Sequence, residues 1–484
     1  MNESRDPSEV RDPSDVPDPP EARDAHEPPA PRVDGPVWVL EDGSPVHIEP
    51  VRRPSLRRRA FLGLVALAVI VALALGMALT GPGPTPPPNG SSPNPRVAQG
   101  RIAMVASDGT LSIVDRTGAP VTRLLLDATV FRFPAFSPDG TSLAAIGATQ
   151  TSSSVVVFDV RSGVDEVDRE SPRTVYSSPD RGVIYASWAP DGRRLGFLTG
   201  GPGTLALRIG DIDDVGPARI VTEAQPLYWD WLDTSTVLVH GGGAGADGFV
   251  DELGIDGAPP VERVSLPGIF QSPAISADRR YVALVARMPS GVSTLVIDER
   301  EGLVRSALVE VLAASFAWSP VRNELAYIDG GGAAGPSLGP LRIGDAATGQ
   351  TRTVLDAAVA AFFWSPDGAA IAALAIEPAD GGNIAAVPGA VAAIPGFHVR
   401  LVIVDAASGE RKLERIVALS DLFEQQLLPF FDQYAKSHPI WSADSREIVL
   451  PLVDTEGTAH LTVIPVDGGP EVDVGPGVLG FWSP

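Results

Sequence analysis

Residues 362–374 read FFWSPDGAAIAAL, an aromatic run, a four-residue turn and an apolar run. In Ser365-Pro366-Asp367-Gly368, Ser suits the first position of a type I turn and Pro presets φ at the second. Asp is tolerated at the third, and Gly supplies the left-handed residue that lets the chain reverse into a strand. The phrase recurs as FSPDG at 136, WAPDG at 188, WSPVR at 318 and WSADS at 441, with weaker copies WLDTS at 231 and ISADR at 275 and a final FWSP at 481–484. Successive copies start 52, 43, 44, 43, 46, 77 and 41 residues apart. After each turn comes an apolar strand, then a second that closes on Asp and small residues, as in SVVVFDVRSG, TLVIDEREG and RLVIVDAASG.

A period near 43 residues, with several short strands per unit, is that of a four-stranded propeller blade. The expected fold is all-β, an eight-bladed propeller, with seven blades the alternative because the unit at 231–257 is the least regular copy. The stretch RIAMVASDGTLSIVDRTG from 101 reads as second and third strands and VTRLLLD as a fourth, leaving the first missing. VLGFWSP at the other end supplies an inner strand, so the two ends are expected to pair, closing the ring and removing an exposed sheet edge. Asp139, Asp191 and Asp367 are read as turn builders rather than as ligands or catalytic acids.

The pattern WSPDG, apolar strand, strand ending in Asp resembles the TolB-like propeller repeat, related to WD repeats and to the propeller of dipeptidyl-peptidase-type peptidases. The resemblance covers 101–484. It implies the fold and leaves activity open, since that family mixes interaction modules with accessory domains of enzymes. Against the peptidase pattern, this sequence ends where an α/β-hydrolase domain would begin.

Ahead of the repeats, residues 1–51 are rich in Pro and acid and poor in aromatics, as expected of a disordered tail. Five arginines in 52–59 precede AFLGLVALAVIVALALGMAL, 60–79, about 20 uncharged residues and long enough to span bilayer hydrocarbon. The positive-inside rule holds the tail in the cytoplasm and exports the chain beyond residue 79. Residues 80–100 form a Pro-rich stalk. The expected placement is a single pass in a bacterial plasma membrane, with a monomeric extracytoplasmic propeller.

Composition narrows the function. There is no cysteine, so disulfides and cysteine-based metal or redox sites are excluded. A net charge of -23 argues against a nucleic-acid partner. No P-loop, dinucleotide or H-E-x-x-H motif occurs. GPSLG, 335–339, matches G-x-S-x-G but lies in a Gly-rich loop before a strand, where a nucleophile elbow needs strand, turn and helix. DIDD, 211–214, reads as a solvated turn rather than a calcium loop. Neither a catalytic residue, a metal site nor a cofactor is assigned.

Two departures from the blade pattern lie in the 77-residue gap. Residues 377–398 form an apolar, Gly/Ala-rich loop, read as a contact surface or as a cover over a neighbouring blade. Residues 419–441 have apolar positions nearer helical than strand spacing, with Pro429 expected to kink or restart the helix. Phe430, Phe431, Asp432, Gln433, Tyr434, Lys436 and His438 crowd into its second half, a composition that suits a binding hot spot for a protein or envelope ligand. The other reading is a helical insert docked on the propeller with its polar groups satisfied internally. The expected function is non-enzymatic binding or scaffolding; the alternatives are an envelope-polymer hydrolase or lyase with an axial site, and a transmembrane sensor signalling through the tail.

Overall fold

The computed structural model describes residues 100–484 except 162–170, 202, 215, 302–304, 331–336 and 379–396. The tail, the apolar run 60–79 and most of the stalk lie outside the described residues, as does most of the loop 377–398. Among the described residues no helix is long and apolar enough to cross a membrane.

Four copies of the phrase build the same local structure. Ser137, Ser276, Ser365 and Ser442 donate from Oγ to the carboxylate of the Asp two residues on, at 2.6–2.7 Å. That Asp then accepts a backbone N–H two residues further along, from Thr141, Arg280, Ala369 and Arg446. Gly140, Gly192 and Gly368 take φ of 65–68° to complete the reversal. The aspartates are therefore turn builders. Partial burial opposes ionisation of Asp139 and Asp367, yet these hydrogen bonds hold both below the ordinary carboxylate range.

Strands run antiparallel outward from each turn. Four-stranded sheets comprise Val130–Phe136, Ser142–Ala148, Ser153–Asp159 and Arg173–Ser178; Gly182–Trp188 to Arg219–Ala224; Leu227–Trp231 to Val261–Val264; and Ala274–Ile275 to Arg305–Glu310. A seven-stranded sheet comes next in the chain, in which Thr351–Trp364 is a single strand. Its first half pairs with Gly339–Asp345 and its second with Ala370–Pro378. Glu447–Val453, Ala459–Pro465 and Val472–Pro476 form a three-stranded sheet whose inner position is reduced to a bridge between Trp441 and Ile448.

The last sheet joins the two ends of the array. Leu479–Trp482 pairs antiparallel with Arg101–Val105, placing Ile102 opposite Trp482 and Ala103 opposite Phe481. Inner strands of successive sheets touch in turn around the ring. The result is a β-propeller, with the core between its sheets.

The repeat's aromatic has a second task besides packing. Trp188, Trp318, Trp364 and Trp441 each donate Nε1–H across to the preceding inner strand, at the carbonyls of Ala135, Ala274, Ala317 and Phe363, at 2.9–3.1 Å. The turns also link sideways: Arg101 donates to Gly140 O, Arg194 to Thr234 O, Asn323 to Asp278, Arg322 to Gly368 O, and the Asp367 amide to Ser445. These turns define one face of the propeller. Connections between sheets emerge on the other, here called the loop face.

Candidate functional site

The insert at 419–441 begins on the loop face and runs into the axis. Phe423–Leu427 is a π turn, Leu428–Phe430 a 3-10 turn and Phe431–Tyr434 one α turn. Pro429 stands at the start of the 3-10 turn, where its missing N–H costs nothing, and the helix restarts at Phe431. The sequence-based expectation of a kink at Pro429 corresponds to this change of helical pitch.

The insert's side chains meet inner strands from most of the ring. Phe431 packs against Phe362, Tyr434 against Phe133 and Tyr185, and His438 against Phe481, with ring centroids 4.7–5.2 Å apart. Gln433 donates Nε2–H to Trp229 O at 3.1 Å and accepts from Ser272 Oγ at 3.1 Å. Tyr185 donates its hydroxyl to Gln433 O at 3.0 Å. The Lys436 ammonium is held by Pro273 O at 2.6 Å, Ser272 Oγ at 3.1 Å and the Asp230 carboxylate at 3.2 Å. This is a plug made by the chain itself.

Of the seven residues singled out by composition, Phe431, Asp432, Gln433, Tyr434 and His438 are buried and Lys436 is half-buried. Only Phe430, 41% exposed, faces outward. It leans on Tyr228, which in turn stacks on Phe270.

The plug's titratable groups carry the mark of burial. His438 donates Nε2–H to Phe133 O at 3.1 Å, so Nδ1 is the acceptor for the Ser437 hydroxyl at 2.7 Å. With both nitrogens satisfied in the neutral form, burial pulls its pKa down to about 4. Burial pushes Asp432 up to about 6 against the pull of Lys436, and Tyr185 up to about 12. Perturbed groups of this kind also occur at active sites. Here they are turned inward on one another.

The remaining sequence candidates fall elsewhere. Ser337 is buried and accepts from the Ser315 hydroxyl at 3.1 Å. Asp213 of DIDD pairs with Arg173 and Arg193, each at 3.2 Å. Among the described residues no group of three or more His, Asp or Glu is placed to hold a metal ion.

Sequence reasoning did not find the leucines of the loop face. Leu125, Leu126, Leu266, Leu312 and Leu338 are exposed there with Phe430.

No family model matches the sequence, and no curated protein matches it. Solved structures do. The dihydro-heme d1 dehydrogenase NirN in complex with DHE aligns at a TM-score of 0.50 and 15% identity over 81% of this chain and 76% of its own. TolB from Acinetobacter baumannii aligns at 0.34 and 15% over 66% of this chain, which spans 63% of the length of that TolB. Prolyl endopeptidases align at 0.47 and 9% over 73% of this chain and 50% of theirs. The chain thus has the fold of a β-propeller. The likeness to these solved structures is one of fold alone.

Proposed function

We propose that this protein is a non-enzymatic binding or scaffold module, an eight-bladed propeller that engages a protein or envelope ligand through its loop face. Eight is the count obtained when the strand Thr351–Trp364 serves two blades and Trp441 stands for a reduced inner strand. The observation that carries the reading is the plug. Propellers commonly bind at the axis, and here the chain's own residues 423–438 fill it, so recognition moves outward to the exposed Leu266, Leu312 and Phe430. A hydrolase or lyase acting from the axis would use acids converging on open axial space, and the plug favours the binding reading over that one.

The apolar run 60–79 anchors the module, with the acidic tail in the cytoplasm and the propeller outside. The chain enters the ring at Arg101 beside Gly140, on the turn face.

Crosslinking pulldown from the source membrane tests this. Phe430→Ala with Leu312→Glu should lower partner recovery about tenfold or more, as loss of an interface hot spot does, without changing the melting temperature. Unchanged recovery removes the loop-face reading.

A further inference from the structure

Exposed apolar side chains of the loop face form a continuous arc across three sheets. The 3-10 turn Gly245–Asp247 is tied to the Leu266 segment, the Gly245 amide donating to Pro267 O at 2.8 Å. That segment is tied in turn to the next hairpin, where the Arg287 amide donates to Leu266 O at 2.9 Å and Pro267 bridges Ala286. From the far side of that hairpin Ser293 O accepts the Val311 amide, next to Leu312, and the Ser315 hydroxyl reaches Ser337, next to Leu338. Leu266, Val292, Leu312 and Leu338 are exposed along this row, Leu312 at 66%. Phe430 joins it through Tyr228 and Phe270.

A carboxylate stands beside each leucine of the arc. Asp247 closes the turn bonded to the Leu266 segment, Glu310 precedes Leu312 by two residues, and Asp356 lies within the pairing of Gly339 with Val359 and Leu341 with Leu355, beside Leu338. Elsewhere on the face Asp127 follows Leu126 in the same way. All four acids are exposed, and none has an ion-pair partner among the described residues. Glu424 of the insert also has Asp421 for a neighbour and no cation, and burial together with Asp421 pushes its pKa up to about 7. Arg123 and Arg287 are exposed on this face as well, whereas Arg181, Arg342 and Arg400 there are engaged by Glu223, Asp329 and Glu377. The turn face is different in kind, mixing both signs in pairs such as Arg280 with Glu299, Arg305 with Asp298 and Lys412 with Asp405.

An apolar row edged by unneutralised carboxylates is mismatched to anionic lipid and to a second copy of the same face, since either brings more negative charge to it. It matches a polypeptide that interleaves apolar anchors with Lys or Arg. The anchors would cover the leucines, and the cations would meet carboxylates that have no partner within the chain. We propose that the loop face is the docking surface for a cationic segment of a partner protein that carries apolar anchors. The inference rests on the loop-face reading above and adds to it the chemical class of the partner.

Photocrosslinking of the full-length chain tests it, with the benzophenone-tagged peptide Lys-Leu-Lys-Leu-Lys as probe and Lys-Ser-Lys-Ser-Lys and Glu-Leu-Glu-Leu-Glu, identically tagged, for comparison. The Lys/Leu peptide should give several-fold more adduct than either, mapped to the segments around Leu266, Leu312 and Leu338, and its excess should shrink at high salt. Asp247→Asn, Glu310→Gln and Asp356→Asn together should lower that yield several-fold at an unchanged melting temperature. Asp214→Asn, Asp256→Asn and Asp467→Asn, the same loss of charge at exposed positions of the turn face, should leave it unaltered. Equal yields from the three peptides, adducts spread over both faces, or an equal loss in the two triple variants would overturn the proposal. The peptide comparison is made on the unaltered chain, so it decides even where a variant is unstable. Lost recovery of the Phe430→Ala, Leu312→Glu variant without a preference for the Lys/Leu peptide would sink the cationic class and keep the loop-face reading; unchanged recovery with that preference would do the reverse.

Discussion

Trp364 shows what a single position of the repeat contributes. An aromatic at this place buries apolar surface between neighbouring sheets, and that much is written in the phrase itself. Its Nε1–H bond to Ala317 O is not, because the acceptor lies 47 residues away on the preceding inner strand. Trp231 provides the internal comparison, since its buried Nε1 has no acceptor. Replacing Trp364 by Phe should cost about 1 kcal/mol more than the same change at Trp231, the typical net value of one buried hydrogen bond. Urea unfolding midpoints of the two variants measure the difference. The Asp of the turn was legible because the bonds that shape the turn, from the Ser two residues before and the amide two residues after, are local, so Asp139 and Asp367 read correctly as scaffolding.

At the scale of the element, the insert was visible as helical spacing interrupted at Pro429, but its destination was not. A partner-facing hot spot and an axial plug have the same composition, aromatic rings with hydrogen-bonding groups attached. They differ in whose carbonyls those groups meet. Here they are Phe133, Ile184, Trp229 and Pro273, between about 160 and 310 residues from the insert. Lys436→Met removes a charged donor from three acceptors and should destabilise the propeller by about 2 kcal/mol in chemical unfolding. Asp432 gives a pH signature. Its folded pKa of about 6 lies above that of an unfolded Asp, so the folded state holds the extra proton between about pH 4 and 6. Stability should therefore fall as pH rises through that window, and Asp432→Asn should abolish that part of the slope when unfolding midpoints are compared. The depressed turn aspartates act in the opposite sense, their contribution being lost only as pH falls below about 4.

For the whole molecule, the spacing of about 43 residues made the ring legible from one strand of each unit, since the turn phrase marks where every inner strand ends. Closure was legible in the complementary strand sets at the two ends of the array, and the register Ile102 to Trp482 is that pairing. Removing residues 479–484 should leave Arg101–Val105 as a bare edge, and the truncated chain should run as oligomers in size-exclusion chromatography where the intact ring is expected to run as a monomer. What the spacing hid is the strand Thr351–Trp364. No Gly or Pro marks the passage from one unit to the next in LDAAVAA, so the chain crosses without turning. Two neighbouring units are consequently bound by a continuous backbone ladder, whereas the others meet through side chains and turns. In native-state amide exchange, protons of Leu341 and Leu374 should thus share one opening free energy, as members of a single foldon, even where adjacent sheets elsewhere in the ring exchange independently.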